Sequence, residues 1–426
     1  MSYRSIGILL VVAIGIALFS YQLGQQEFSL KDNIVVADNG SSTGSVNENI
    51  ASSRPIQTAT ARAQILDSGA GTVGLPDTGR IAHFEIGNRN VKGIYAEEGQ
   101  VWFATSGGVI RYDTGSDQYT VFDNKTPGVL SNGIFHVSRI DDRLIVGSYG
   151  GGLSVMDVTT GLWTNYNVPQ GLADQFVYDS QLASNGDLWI ATWSGVNRIT
   201  GARLDDPEAW DTFTVENTKG GLPNPWVYGV EEGKNGVMWF ATEAGLARYQ
   251  DGKWTNWQHE DGLGAPIELV RDAIQFTNDP AKASQHHAQQ KAEQGLSDID
   301  VAYNPNYIIS LQVDQSGNVW AGTWGGGLAR FDGHQWTNFT TADGLPGNHI
   351  FMLYMDKTDT LWVGTSKGLS RMDATNNTFA NFTVRDGLFA NNVFSMANGV
   401  EDNIWIGSFG GVARIAQSKW SEIQKQ

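Results

Sequence analysis

The 426-residue sequence predicts an all-β chain: a seven-bladed β-propeller of four-stranded antiparallel blades, preceded by one N-terminal transmembrane helix and a flexible linker. Three observations carry that expectation. One segment recurs seven times, most copies are spaced 42 to 44 residues apart, and 51 glycines against 11 prolines indicate many tight turns. The copies are VWFATSGGVIRYD (101–113), LIVGSYGGGLSVMD (144–157), LWIATWSGVNRI (188–199), MWFATEAGLARY (238–249), VWAGTWGGGLARFD (319–332), LWVGTSKGLSRMD (361–373) and IWIGSFGGVARI (404–415).

Four slots agree across the copies. The aromatic slot holds Trp102, Trp189, Trp239, Trp320, Trp362 and Trp405, with Ile145 in the remaining copy. Two residues later stands Ala or Gly, then Ser or Thr, and a Gly precedes an aliphatic residue in all seven. Within one period the stretches Ile350–Met355, Leu361–Gly364, Leu369–Met372 and Thr378–Phe382 read as four strands separated by turn residues. A single four-stranded sheet cannot bury both faces, whereas radial stacking sets each Trp against the next blade. The small residue nearby is expected to leave room for that ring.

Two steps are longer. The 50-residue step carries ITGARLDDPEAWDTF, expected as a surface loop of the third blade; the 81-residue step is read as an insertion over 263–306. Asp279-Pro280 supplies a helix start there, AKASQHHAQQKAEQ favours helix, and Gly295 ends it. That helix is polar on all sides and is expected to be exposed or to act as a lid. For ring closure two candidates exist, RIAHFE (80–85) and KWSEI (419–423), and the first is expected to join the last blade.

Outside the repeats, residues 1–5 form an expected cytoplasmic tail. Ile6–Leu23 is uncharged and, at about 1.5 Å per residue, about 27 Å long as a helix, close to a membrane core. It is expected to be an uncleaved signal anchor in the cell inner membrane, with a cleaved signal peptide as the alternative, that places the propeller in the periplasm, or otherwise outside the cytoplasm. Residues 24–78, rich in Ser, Gly, Thr and Asn, are expected to be a flexible linker, and 79–426 the propeller domain. A net charge of −17 argues against a nucleic-acid partner, and the absence of cysteine excludes disulfides and thiolate chemistry.

The repeat, with its DGL turns at 261–263, 343–345 and 386–388, resembles the two-component regulator propeller repeat of periplasmic sensor regions in bacterial hybrid histidine kinases. The resemblance covers about 79–426. It implies a sensor propeller, here stand-alone and membrane-anchored, whose ligands in the family are often oligosaccharides. A chain of this arrangement would act through a separate signalling partner.

Catalytic motifs are absent from the sequence. None of the seven His stands in a metal-binding spacing, and neighbours on a helix point about 100° apart, so His286 and His287 are not expected to chelate. No metal, cofactor or catalytic residue is therefore expected. Arg111, Arg198, Arg248, Arg330, Arg371 and Arg414 share one place in the third strand and are read as structural, each pairing an Asp or backbone carbonyls.

Function is sought where the copies differ. After the Ser/Thr slot come Tyr149, Trp193, Trp324 and Phe409 in four blades but Ser or Glu in the others. The blade connections on the same face add Asn132, Trp226, Asn348, His349 and Asn391. Aromatic platforms interleaved with amides suit a glycan or small polar ligand, or a protein partner. Two other readings stay open: a scaffold in a cell-envelope assembly, and a propeller-type lyase or hydrolase.

Overall fold

The computed structural model describes residues 58–60, 64–65, 81–274, 277–400, 403–416 and 418. The expected cytoplasmic tail, membrane anchor and most of the linker lie outside these residues, as does KWSEI. Among the described residues no helix is long and apolar enough to cross a membrane.

Each repeat folds as an antiparallel four-stranded meander. In blade 6 the strands are Ile350–Met355, Leu361–Thr365, Gly368–Asp373 and Thr378–Phe382, within one residue of those read from the sequence. Blades 2 to 6 are separate four-stranded sheets, whereas the first and last blades are joined by a shared long strand. Successive first strands pack side by side around the molecule, and the first strand of blade 7, Val393–Asn398, packs against the shared strand, which closes the circle.

The closure is a bent strand. Ile81–Glu97 leaves one arm, 81–85, paired with Gly411–Ile415 as the fourth strand of blade 7. Its other arm, Val91–Glu97, pairs with Gln100–Thr105 as the first strand of blade 1. Residues 81–85 thus take the role expected for RIAHFE. Two short strands add to outer edges: Thr58–Thr60 pairs with Gln118–Thr120, and Gln64–Ile65 with Ala82 and His83. Both fall within the stretch expected to be linker; an outer strand presents unpaired N–H and C=O groups that another segment can satisfy.

The core runs through the seams between blades. Trp102 packs with Val137, Leu144, Val146 and Met156 of blade 2, and Ile145 with Leu188 and Ile190 of blade 3. Trp320 packs with Ile350, Leu361 and Val363 of blade 6, and Trp405 of the last blade with Phe103 and Tyr112 of the first. The small residue two positions after each Trp or Ile anchor has a different purpose from the one expected. A Cβ on Gly147 would come within 2.9 Å of the Val177 carbonyl oxygen, and one on Gly364 within 2.7 Å of that of Val393. The slot therefore admits the next blade's first strand rather than the indole. The Ser/Thr slot ties the following turn, with Thr192 Oγ1 donating to the Gly195 carbonyl at 2.8 Å and Thr242 Oγ1 to Gly245 at 2.7 Å.

The insertions are more ordered than their composition implied. In the third blade Leu204 and Ala209 enter the core. Among its described residues the 263–306 insertion forms three short α-helices, α1 (Ile267–Val270), α2 (Pro280–Ala283) and α3 (Gln285–Glu293), with a small core of Ala265, Val270 and Tyr303. Asp279 caps α2 by accepting from the Ala281 N–H at 3.0 Å, as its sequence signature predicts, but the helix breaks at Ser284. Its polar character does not leave α3 exposed: His287 and Lys291, one turn apart, are both buried. Lys291 Nζ donates to Asp279 Oδ2 and the Ile299 carbonyl, each at 2.7 Å, and to the Val301 carbonyl at 3.1 Å, so all three donors of the buried ammonium are engaged.

Candidate functional site

The first strand of every blade carries a β-bulge at one place, between Val91 and Gly93, Ile134 and His136, Val177 and Asp179, Val227 and Gly229, Ile308 and Ser310, Ile350 and Met352, and Val393 and Ser395. A bulge re-aims the side chain it inserts. The seven residues so placed, Lys92, Phe135, Tyr178, Tyr228, Ile309, Phe351 and Phe394, all line a central channel of about 480 Å³. Phe135, Tyr178, Tyr228 and Tyr307 form a run of rings with successive centroids 4.9 Å apart. Across the channel Lys92 Nζ sits 4.6 Å above the Phe394 ring, and burial lowers its pKa to about 8.

Farther along the first strands the wall turns polar. His136 Nδ1 lies 2.9 Å from Asp179 Oδ1, and Asp179 Oδ2 accepts from the Val230 N–H at 3.0 Å, which ties blades 2, 3 and 4 together. Glu231 faces the same space, and burial, then the charges of Asp179 and Glu232, raise its pKa to about 8. A raised carboxyl means that the folded state binds the proton more tightly than the unfolded chain. This group's contribution is therefore most favourable below about 4.5 and declines as the pH climbs to about 8. We expect Glu231→Gln to match the wild type in urea unfolding at pH 4.5 and to exceed it by about 1–3 kcal/mol at pH 8. A constant difference across that range would contradict the assignment.

Helix α3 covers one end of the channel, where Pro280, Ala283, Ser284 and His287 join its lining. Beneath it Glu243, only 1% exposed, holds both histidines: His287 Nδ1 is 2.5 Å from Oε1 and His286 Nε2 is 3.0 Å from Oε2. The two rings, not expected from the sequence to chelate together, thus converge on one carboxylate. One uses its near ring nitrogen and the other its far one, and the two carboxylate oxygens accept them separately. Burial alone would raise the Glu243 pKa; the interactions with His287 and His286 outweigh it and hold the group at about 2. His286 stacks on Trp226 with centroids 3.4 Å apart, and the His287 ring lies parallel to Tyr307 at 5.8 Å.

Of the residues expected from the sequence, Trp226 meets His286 at this end with Trp193 beside it, and Trp324 lines the channel; the set differs in availability. Tyr149 and Trp193 are half-buried and linked through Phe176, at 4.6 and 4.4 Å between centroids; burial raises the Tyr149 pKa to about 12. Trp226 and Trp324 are buried, and Phe409 packs beside the cluster of Trp324, Phe351 and Phe394. His349 is buried with its Nε2 donating to the Ala302 carbonyl at 2.7 Å, and burial lowers its pKa to about 4, so the ring is neutral. The amides share one structural role. Asn132, Asn348 and Asn391 each accept a backbone N–H from the preceding connection, that of Asn124, Thr341 and Val384 respectively.

Five of the six repeated arginines pack over aromatic rings, partners not foreseen for them. Arg111, Arg198, Arg248, Arg330 and Arg414 each lie 5.5 to 5.9 Å above the slot Trp and a second aromatic ring. Of these, Arg198 also pairs Asp211 at 2.5 Å. The bulge ring had a sequence signal that went unused: an aliphatic residue followed by the channel residue, 10 or 11 positions before each Trp or Ile anchor.

Residues 302–325 and 344–367 match the family described as two component regulator propeller. An extracellular domain assigned to a hybrid two component system of B. thetaiotaomicron superimposes with a TM-score of 0.57 at 19% identity, covering 77% of this chain and 40% of that one. The chain thus spans well under half of that relative. Virginiamycin B lyase from Staphylococcus aureus superimposes at 0.55 with 11% identity over 79% of this chain and 99% of the lyase. The WD40 β-propeller domain of Doa1 gives 0.53 at 12% identity, over 80% and 97% of the two chains. At these identities the likeness is one of fold. No curated protein sequence matches the chain.

Proposed function

Because this chain carries the two component regulator propeller repeat, we propose that it is an extracytoplasmic sensor-type propeller that binds a small polar ligand in its capped central channel. The observation that carries this reading is the ring of seven bulged side chains turned into one cavity. A space of about 480 Å³ falls in the range of small-molecule sites. Tyrosine and phenylalanine rings offer faces for the apolar C–H surface of a sugar, and Lys92, His136, Glu231 and Gln312 offer partners for hydroxyls. A glycan fragment of one or two rings is the ligand class this lining favours. Anchoring in the inner membrane through residues 6–23 and output through a separate protein partner complete the proposal.

The test is a thermal-shift and calorimetric screen of the purified full-length chain against mono- and disaccharides. A binder should raise the melting temperature by mass action. Tyr178→Ala and Tyr228→Ala should each weaken it about five- to tenfold, since loss of one stacking ring is worth about 1 kcal/mol. Unchanged affinity in both variants would remove the channel as the site. No response to any sugar, with stable co-purification of an envelope protein, would favour a scaffold.

A further inference from the structure

We propose that Glu243, His286 and His287 form a binding site for a divalent transition-metal ion of the zinc class, set in the cap of the channel. The three donor atoms lie within 4.8 Å of one another, and each residue contributes one. Two imidazole nitrogens and a carboxylate oxygen form a donor set suited to zinc and its neighbours rather than to calcium or magnesium, which prefer oxygen.

The adjustment the geometry needs is a local one. In a tetrahedral zinc site donors stand about 3.3 Å apart. The carboxylate-to-imidazole contacts, 2.5 Å to Oε1 and 3.0 Å to Oε2, must open towards that value, while the wider separations within the 4.8 Å cluster must close by up to about 1.5 Å. His286 has room to move because it is partly exposed and is held on that side only by stacking on the Trp226 face. Glu243, by contrast, is fixed: Tyr228 Oη donates to its Oε2 at 3.4 Å, and its backbone is held in the second-to-third strand turn of blade 4.

A second observation points to the same place. Ser284 immediately precedes α3, is buried, and lines the channel beside His287 with its Oγ lacking a hydrogen-bond partner; the Tyr178 hydroxyl on the same wall is in the same condition. Buried hydroxyls without partners are costly. Water completing the metal's coordination on the channel side would give them one. This inference stands apart from the sugar reading, since the ion alone is the probe.

The experiment titrates the metal-free full-length chain with zinc chloride by calorimetry and with cobalt chloride by visible absorption, with calcium and magnesium as controls. We expect one equivalent of zinc, a rise of several degrees in melting temperature, and the absorption bands of low-coordinate cobalt, with no response to the controls. Glu243→Gln and His286→Ala should each reduce zinc affinity at least tenfold. His286→Ala, at a partly exposed position, should melt within a few degrees of the metal-free wild type, which separates loss of a ligand from loss of folding. Absence of stoichiometric binding, or zinc binding that survives His286→Ala and Glu243→Gln unchanged, would overturn the proposal and leave the cluster as a hydrogen-bonded latch.

Discussion

Deletion of residues 79–86 is expected to abolish cooperative unfolding at ordinary temperatures rather than merely lower the melting point. The deletion removes Ile81, Ala82 and Phe84 from the core, together with their ladder to Gly411–Ile415. Loss of one buried Ile and one buried Phe costs about 5 kcal/mol or more, a large part of the whole stability of a typical domain. It also uncovers Trp405, whose ring centroid lies 5.4 Å from that of Phe84. Circular dichroism and calorimetry would read the result. An unchanged melting temperature would mean that another segment closes the ring.

Two classes of tryptophan should separate by a large margin. Trp320 is 1% exposed, fills the seam between blades 5 and 6, and donates its indole N–H to Asp314 at 3.0 Å. Trp320→Ala should cost about 3–5 kcal/mol in urea unfolding, the range for large aromatic truncations in a core. Trp193 is half-buried at the channel end, where its neighbours are Phe176, Trp226 and Tyr149. Its replacement by Ala should cost about 1–2 kcal/mol. Equal costs would make the channel end as much a part of the core as the seams are.

The blade architecture was legible because each slot serves the same purpose in every blade. Trp, Ala or Gly, Ser or Thr, and Gly each meet a constraint that repeats around the ring, so seven copies amplify the signal. The closing strand was legible only as one of two candidates, RIAHFE and KWSEI, because both end strands look like the outer strands of the other repeats. The site was harder to read. Trp226 and His286 are 60 positions apart in sequence yet stack face to face, and Glu243 looked like a substituted aromatic in its slot. Such pairings arise only once the insertion folds back over the channel, and no periodicity encodes that. The burial of α3 was missed for a related reason: amphipathicity reports helices that cover apolar surfaces, while this one covers a carboxylate and amides. Asn132, Asn348 and Asn391 misled in the opposite sense, because a repeated amide in a loop serves the backbone as well as it would serve a ligand.

The strand shared between the first and last blades bears on how the chain reaches this state. His83 bonds to the Gly387 carbonyl and Ser395 to that of Val91, each across a separation of 304 residues. During synthesis the 81–85 arm must therefore wait, with Phe84 unburied, until almost the whole chain has emerged. Contacts of such range form late and slowly, and an apolar edge left open meanwhile invites association with other chains. The last blade is thus expected to be the slow step of folding and the point at which a chaperone is most needed.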